Sequence, residues 1–381
     1  MRWCLGCFGS DVEAYTGAAA ASAGDRQRLM DISLLLGGSQ SVPTDGVSDY
    51  ARLLAGELSL RGHQVSIVRV LWDKEGTVRA IAAAARRPAA EYWAILQHTH
   101  LGWSRRGFPI RILPLAAALR LRGVKVAVTI HDPLPFGGRR ARDLVRAFTQ
   151  SIVMRSVVTL ADRTFVTVDP SVIRWAGISQ RAALTFAPVG SNVGSEAGPR
   201  ERAASNKVIV FGVTEGSNVE ASRISRVVRR ARSDLTALEL CVIGRGAPQS
   251  SAVLHRELEG SDIRLTVHGV LGARDVASHI ASADALLFLR GGASSRRSTL
   301  VAAIACGTPI VAERGPETAP PVTEAGVDLV PLGDDAAAAL AIVRIIEDRG
   351  WHAELSARNR DVYARWFSWE RIGTRVLEGL L

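Results

Sequence analysis

The sequence predicts an α/β protein of two Rossmann-like domains in tandem, each a parallel sheet wrapped by helices and facing the other across a cleft. Three observations carry this. The chain has 381 residues, too many for one ordinary core and suited to two domains of ~150–200 residues each. From residue 30 onward, short β-branched runs alternate with amphipathic stretches, the pattern of right-handed βαβ crossovers. The series breaks once, at GSNVGSEAGPRERAASN (190–206), a Gly/Ser/Asn-rich linker, and then restarts. The expected domains are therefore 30–195 and 206–350, with C-terminal helices at 351–381.

Residues 1–29 do not share this pattern. Cys, Gly and an Ala run (Ala18 to Ala21) occur there without a sustained period. The apolar piece WCLGCFG ends at Ser10-Asp11, too early and too acidic for a signal-peptide core. A disordered leader, or sequence upstream of a true start at Met30, is the expectation. Cys4-x-x-Cys7 is half of a metal spacing without a second pair nearby.

In the first domain, strands are expected at 31–36, 64–70, 94–98, 124–130, 163–168 and 184–188. The clearest helix is 47–61, with Val47, Tyr50, Ala51, Leu54 and Leu58 on one face and Gly62 just past its end. In the second, strands are expected at 207–212, 238–243, 263–268, 284–289, 309–312 and 328–331. In open α/β sheets, ligands sit beyond the carboxyl ends of the strands, so function is sought in the loops that follow them.

Composition narrows the classes. Hydrophobic residues make up 47% and charged residues 22%, the globular norm, which excludes wholesale disorder. No stretch reaches the ~18–20 apolar residues of a membrane span. Four cysteines in a chain this long do not make a disulfide scaffold, and a reducing cytoplasm is expected. The net charge is +10, nearly all of it Arg, with Lys only at Lys74, Lys125 and Lys207. That bias partly reflects a GC-rich genome. The remaining charge suits an acidic small substrate or an anionic membrane. Zinc-finger spacing, an RNP-type aromatic strand and a basic zipper are all missing, which argues against nucleic acid as a partner.

Several loops have residues for chemistry. Gly37, Gly38 and Gly46 precede the first helix, where a phosphate or sugar oxygen can approach the backbone; an ordinary turn capped by Asp45 or Ser48 has the same look. The fourth strand runs into His131-Asp132-Pro133, placing a histidine where it can bond a sugar hydroxyl or a developing oxyanion, or simply cap the strand. His98 and His100 end the third strand. With neither carboxylate nor Cys close in sequence, they suit substrate contact or packing better than a metal. Gly244 and Arg245 follow a strand and can border a nucleotide, Arg245 meeting phosphate or solvent. GGASSRRSTLVAAIACGTPIVA (291–312) is the strongest local feature. Ser294, Ser295, Arg296, Arg297, Ser298 and Thr299 precede or open an apolar helix and form an anion site there. The stretches 104–123 and 139–158 mix Arg105, Arg106, Arg111, Arg120, Arg139, Arg140, Arg142 and Arg146 with apolar residues. Each is either an ordinary helix surface or a contact for anionic lipid.

These pieces, in order, resemble the family-4 glycosyltransferases with the GT-B fold. DGVSDYARLLAGELSLRGHQVSIV is similar to their glycine loop, first helix and second strand. TIHDP resembles their fourth-strand histidine, VHGVLGARDVASHIASADALLFL their Ala-Asp signature, and ACGTPIVA matches almost letter for letter. APVGSNV lies where relatives often carry a Pro-Asn-Gly turn, and YARWFSWERIGTRVL resembles a terminal helix that crosses back to the first domain. The resemblance covers about 30–381. It implies transfer of a sugar from a nucleotide-sugar donor to an acceptor, with retention and without a bound metal or cofactor. Gly46 and His131 would then lie by the transferred sugar, Gly212, Gly244 and the 268–270 turn by the nucleotide, and His98, His100 and Asp132 on the acceptor side.

The chain departs from the family at the donor loop. Ser294 and Ala302 stand where relatives carry two Glu, and Val213 stands where they carry Arg. A variant subgroup with a Ser-Ser-Arg-Arg loop is similar here, and in it Arg296 and Arg297 would supply the missing positive charge. An inactive binding subunit and a GT-B nucleotide-sugar epimerase are the alternative readings. The expected location is the cytoplasm, at the inner face of the membrane if the basic segments bind lipid.

Overall fold

The computed structural model describes residues 12–15, 29–38, 46–86, 92–193 and 205–381. Cys4, Cys7, Asp45 and the linker residues 194–204 lie outside them. The chain forms two compact units, Met1–Ala187 with Ile372–Leu381, and Pro188–Arg371.

The first unit holds a seven-stranded sheet: β1 (Val12–Tyr15), β2 (Asp31–Gly37), β3 (Gln64–Val70), β4 (Tyr92–His98), β5 (Lys125–Ile130), β6 (Arg163–Val166) and β7 (Leu184–Phe186). Their order across the sheet is β1-β3-β2-β4-β5-β6-β7. All neighbours are parallel except β1, which pairs antiparallel with β3, Val12 opposite Val68. The six parallel strands fall where the alternation placed them, to within two residues at each end. β1 is an addition: VEAY is four residues long and lies in a region without a period. The Gly46–Leu60 helix buries Tyr50, Ala51, Leu54 and Leu58 as its spacing predicts, and Ser48, Ala55 and Ser59 with them, while Val47 in its first turn is only half-buried.

The second unit holds six strands: β8 (Lys207–Phe211), β9 (Leu238–Ile243), β10 (Ile263–His268), β11 (Ala285–Phe288), β12 (Ile310–Glu313) and β13 (Val327–Val330). All are parallel, in the order β10-β9-β8-β11-β12-β13. Both faces of this sheet are covered. Val208, Val210, Leu240 and Val242 enter one apolar layer, and Ile209, Cys241 and Ile243 the other. Burial on both sides is why these strands read as unbroken apolar runs rather than as alternation.

The last helix, Trp369–Leu380, begins among the residues of the second unit and ends among those of the first. Trp369 Nε1 donates to Ser191 O at 2.7 Å. Farther along, Arg61 Nη1 donates to Thr374 Oγ1 at 2.9 Å and Arg163 Nε to Gly379 O at 2.8 Å.

Candidate functional site

In the second unit the strand order reverses between β8 and β11, whose onward connections run to opposite sides. The crevice beyond the ends of two such strands is the ligand position of open α/β sheets. Gly212 follows β8 with φ 81° and Gly244 follows β9 with φ 120°. A Cβ on Gly244 would stand 3.1 Å from Gly212 Cα. The two turns thus touch through bare backbone, a conformation and a distance that only glycine meets comfortably. Gly212 N donates to Ile243 O at 2.8 Å. From the loop after β11, Arg290 reaches back, its Nη1 donating to Gly212 O at 2.8 Å. Arg290 therefore lies at the point of reversal, while Arg245 is exposed at the turn beyond β9.

The Ser-Arg loop follows Arg290. Ser294 is fully buried and Ser295 nearly so; Ser294 Oγ accepts from Arg296 N at 3.4 Å. The helix after it spans Ser298–Cys306 with Arg297 as N-cap and Gly307 in the left-handed conformation at its end. Leu300 N and Val301 N both donate to Arg297 O at 3.0 Å. The N–H groups of Ser298 and Thr299 precede that ladder, where a helix offers donors and positive potential to an anion. The two arginines have different surroundings. Arg296 Nε lies 2.9 and 2.8 Å from the two carboxylate oxygens of Glu317, a residue only 8% exposed. The pairing expected between Arg296 and an anionic ligand is thus met within the chain by a carboxylate. Arg297 turns toward the glycines of its own loop, its Nη2 3.6 Å from the position of a Cβ on Gly291.

In the first unit, His131 follows β5 and is 7% exposed. Its Nε2 lies 2.8 Å from Gln97 Oε1. An amide oxygen only accepts, so Nε2 carries the proton and the lone pair of the neutral ring is on Nδ1. Tyr50, from the Gly46–Leu60 helix, meets the ring edge-on at 4.8 Å between centroids. The backbone is fixed as well: His131 N donates to His98 O at 2.9 Å, and Thr167 Oγ1 to His131 O at 3.3 Å. His100 N donates to Asp132 Oδ2 at 3.3 Å, and His100 Nε2 lies 3.2 Å from Leu134 O. His98, His100, His131 and Asp132 are thereby gathered at the ends of β4 and β5. His98, however, has no exposed surface and meets the His100 ring edge-on at 5.6 Å between centroids. Gly46 opens its helix with open space around it.

Burial, with His100 and His131 adding to it, pushes the His98 imidazole down from 6.5 to about 3. A histidine in the unfolded chain protonates near 6.5, so between these values the unfolded state holds the additional proton. Stability should therefore be lost as pH falls from about 6.5 toward 3. Urea unfolding at pH 7 and pH 4.5 should show a smaller pH penalty in His98→Gln than in the parent. Equal penalties would assign the acid sensitivity to other groups.

Gln97 and Glu317 hold candidate residues, His131 and Arg296, and the sequence reading missed both. Gln97 reads as a strand residue, and only the register of β4 against β5 brings it to His131. Glu317 follows β12, and nothing in its neighbourhood in sequence connects it to Arg296.

Residues 205–348 match the family model described as glycosyl transferases group 1. Sucrose-phosphate synthase from Thermosynechococcus elongatus is similar in structure, with 18% identity, TM-score 0.65, and coverage of 92% of this chain and 98% of that one. HepE of Anabaena in complex with UDP has 13% identity and TM-score 0.64, over 92% of this chain and 99% of that one. The UDP-forming α,α-trehalose-phosphate synthase of Burkholderia xenovorans has 11% identity and TM-score 0.58, with coverages of 92% and 99%. No curated protein matches the sequence.

Proposed function

The chain has the GT-B glycosyltransferase fold and carries a glycosyl transferases group 1 segment at 205–348, and from that premise we propose that it transfers a sugar from a UDP-sugar to a hydroxyl acceptor with retention at the anomeric carbon. The observation that carries the reading is the strand reversal of the second unit and the residues gathered at it. There Gly212 and Gly244 let a ligand reach the backbone, Arg290 and Arg297 supply positive charge, and a helix begins at Ser298. Breaking the bond between the anomeric carbon and the diphosphate leaves negative charge on the departing nucleotide, which such groups stabilise. The acceptor hydroxyl forms the new bond to that carbon and loses its proton. UDP is favoured because HepE is seen with UDP and with UDP-glucose. His131 is the residue of the first unit assigned to the transferred sugar, with His100 and Asp132 on the acceptor side. No metal is assigned to the transfer.

A thermal-shift series with UDP, GDP, ADP and TDP tests this. A ligand at 100 times its Kd adds about 2.7 kcal/mol, so UDP should raise Tm by several degrees. Four nucleotides without effect would remove the donor site. Incubation with UDP-sugars then separates the alternatives. A binding subunit would bind without turnover, an epimerase would return an altered UDP-sugar, and a retaining transferase would preserve the anomer in its product.

We propose further that a surface of the first unit contacts anionic lipid. Along the Ala141–Leu160 helix, Leu144, Val145, Phe148 and Ile152 are exposed, with exposed Arg139, Arg140 and Arg142 at its start. The segment 104–123 contributes less: Arg111 stacks on Trp72 at 4.3 Å and Arg120 pairs with Asp162 at 2.6 Å. Among the described residues no helix is long and apolar enough to cross a membrane. Binding to phosphatidylglycerol vesicles at low salt should weaken with added salt and in Leu144→Ser/Phe148→Ser. Equal binding to neutral vesicles would rule out the charge.

A further inference from the structure

A cluster on the second unit takes no part in the transfer reading. Cys241 lies in β9, His268 ends β10, and His279 is in the last turn of the Ala273–Ser282 helix. β9 and β10 are parallel with Ile243 opposite His268 and Cys241 opposite Thr266. Cys241, Ile243 and His268 therefore share one face of the sheet. The helix packs on that face through Val276, Ala277 and Ile280, which brings His279 over Cys241. The result is one sulfur and two imidazoles whose ligand atoms all lie within 4.8 Å of one another.

We propose that Cys241, His268 and His279 form a three-ligand site for a zinc-class transition metal, with its fourth position open to water. The donor set is a thiolate and two imidazoles, the borderline-soft combination that Zn²⁺ prefers and that Ca²⁺ and Mg²⁺ do not. The spacing suits it. Bonds of about 2.3 Å to sulfur and about 2.0 Å to nitrogen set tetrahedral ligands ~3.3–3.6 Å apart. Cys241 Sγ already lies 3.8 Å from His279 Nδ1, and the two rings stand 4.8 Å apart, tilted by 43°. The Cys241–His279 pair needs only a few tenths of an ångström more, and the widest separation, within 4.8 Å, closes by turning the imidazoles, which are half-buried and have room to rotate. Each ligand comes from a different element, so the backbone holds all three in advance of binding. Cys241 is buried while both histidines are half-buried, which gives a metal a way in and leaves room for a water.

The surrounding charge is mixed. Lys207 opposes a cation, yet its Nζ lies 3.6 Å from Glu239 Oε1 and donates to Ser282 Oγ at 3.2 Å. Asp275 stands one turn before His279 on the same helix. The site adjoins the turn after β9, because Gly244 N donates to His268 O at 3.2 Å. A bound metal would tie the end of β10 to the helix after it and so brace that turn.

The test uses the full chain with Cys4→Ser and Cys7→Ser throughout, so that this pair cannot supply a signal. Cobalt(II) is titrated into the metal-free protein. A thiolate-to-cobalt charge-transfer band saturating at one equivalent is expected, absent in Cys241→Ser and weakened at least about tenfold in affinity in His268→Asn and in His279→Asn. Zinc should raise the Tm of the parent and leave that of His279→Asn unmoved. Because both histidines are half-exposed, their variants keep the metal-free circular dichroism of the parent and serve if Cys241→Ser fails to fold. No band in the parent, a band that rises without saturating, or the same band in both histidine variants overturns the site.

Discussion

Arg290→Ala is expected to weaken UDP binding by about 10- to 150-fold, the ~1.5–3 kcal/mol of a charge-assisted hydrogen bond. Arg290 is singled out because its fork already lies at the reversal of strand order, on Gly212 O, where the proposed donor diphosphate would meet the ends of β8 and β11. Its side chain is 31% exposed and its Nε lies 4.0 Å from Glu220 Oε1, too far for a strong ion pair, so the Tm without nucleotide should change little. Arg290→Lys keeps the charge but loses the planar fork and should recover part of the affinity. Arg296→Ala should behave in the opposite way. It leaves Glu317 buried without the guanidinium that spans both its oxygens, so stability falls while UDP affinity changes less. Arg297→Ala should resemble Arg290→Ala. Calorimetric titration of UDP against the three variants decides it. Unchanged affinity in both Arg290→Ala and Arg297→Ala would remove these arginines from the donor site.

His131→Ala is expected to lower turnover by ~100-fold or more. The same change should cost about 1–3 kcal/mol of stability, because Gln97 Oε1 loses a buried donor and Tyr50 loses its edge-on neighbour. The two effects are separable. Turnover is measured well below the melting point, and stability by urea unfolding. Gln97→Ala supplies the second comparison: the imidazole remains but its fixed tautomer and orientation are lost, so turnover should fall by less than in His131→Ala. Near-parental turnover in folded His131→Ala would leave the histidine as a packing residue.

The sheets were legible in the sequence for a physical reason. Strands such as LELCVI in β9 are buried on both faces, so their apolar runs stand out against the helices between them. β1 was not legible, because four residues at a sheet edge need neither a period nor a core face. The site divides in the same way. The Ser-Arg loop is local, and its place ahead of the Ser298–Cys306 helix follows from small and hydroxyl residues preceding an apolar stretch. Which arginine is held by Glu317 and which amide holds His131 are set by contacts between distant segments. Cys241, His268 and His279 are the extreme case. Metal spacings in sequence reflect short loops, whereas these three are assembled by the register of β9 on β10 and the seating of one helix.

The last helix has a consequence for how the protein is made. Residues 372–381 belong to the first unit, and Gly379 packs so closely on Phe165 that a Cβ there would stand 2.6 Å from its ring. The ribosome delivers the bulk of that unit first and its final ten residues after the whole second unit. The sheet of the first unit therefore waits, with Phe165 and Arg163 unpartnered by this segment, until residues 372–381 emerge. A fragment ending at Ala187 would be held in that waiting state permanently, and residues 372–381 act as the closing stitch of the unit whose strands were made long before them.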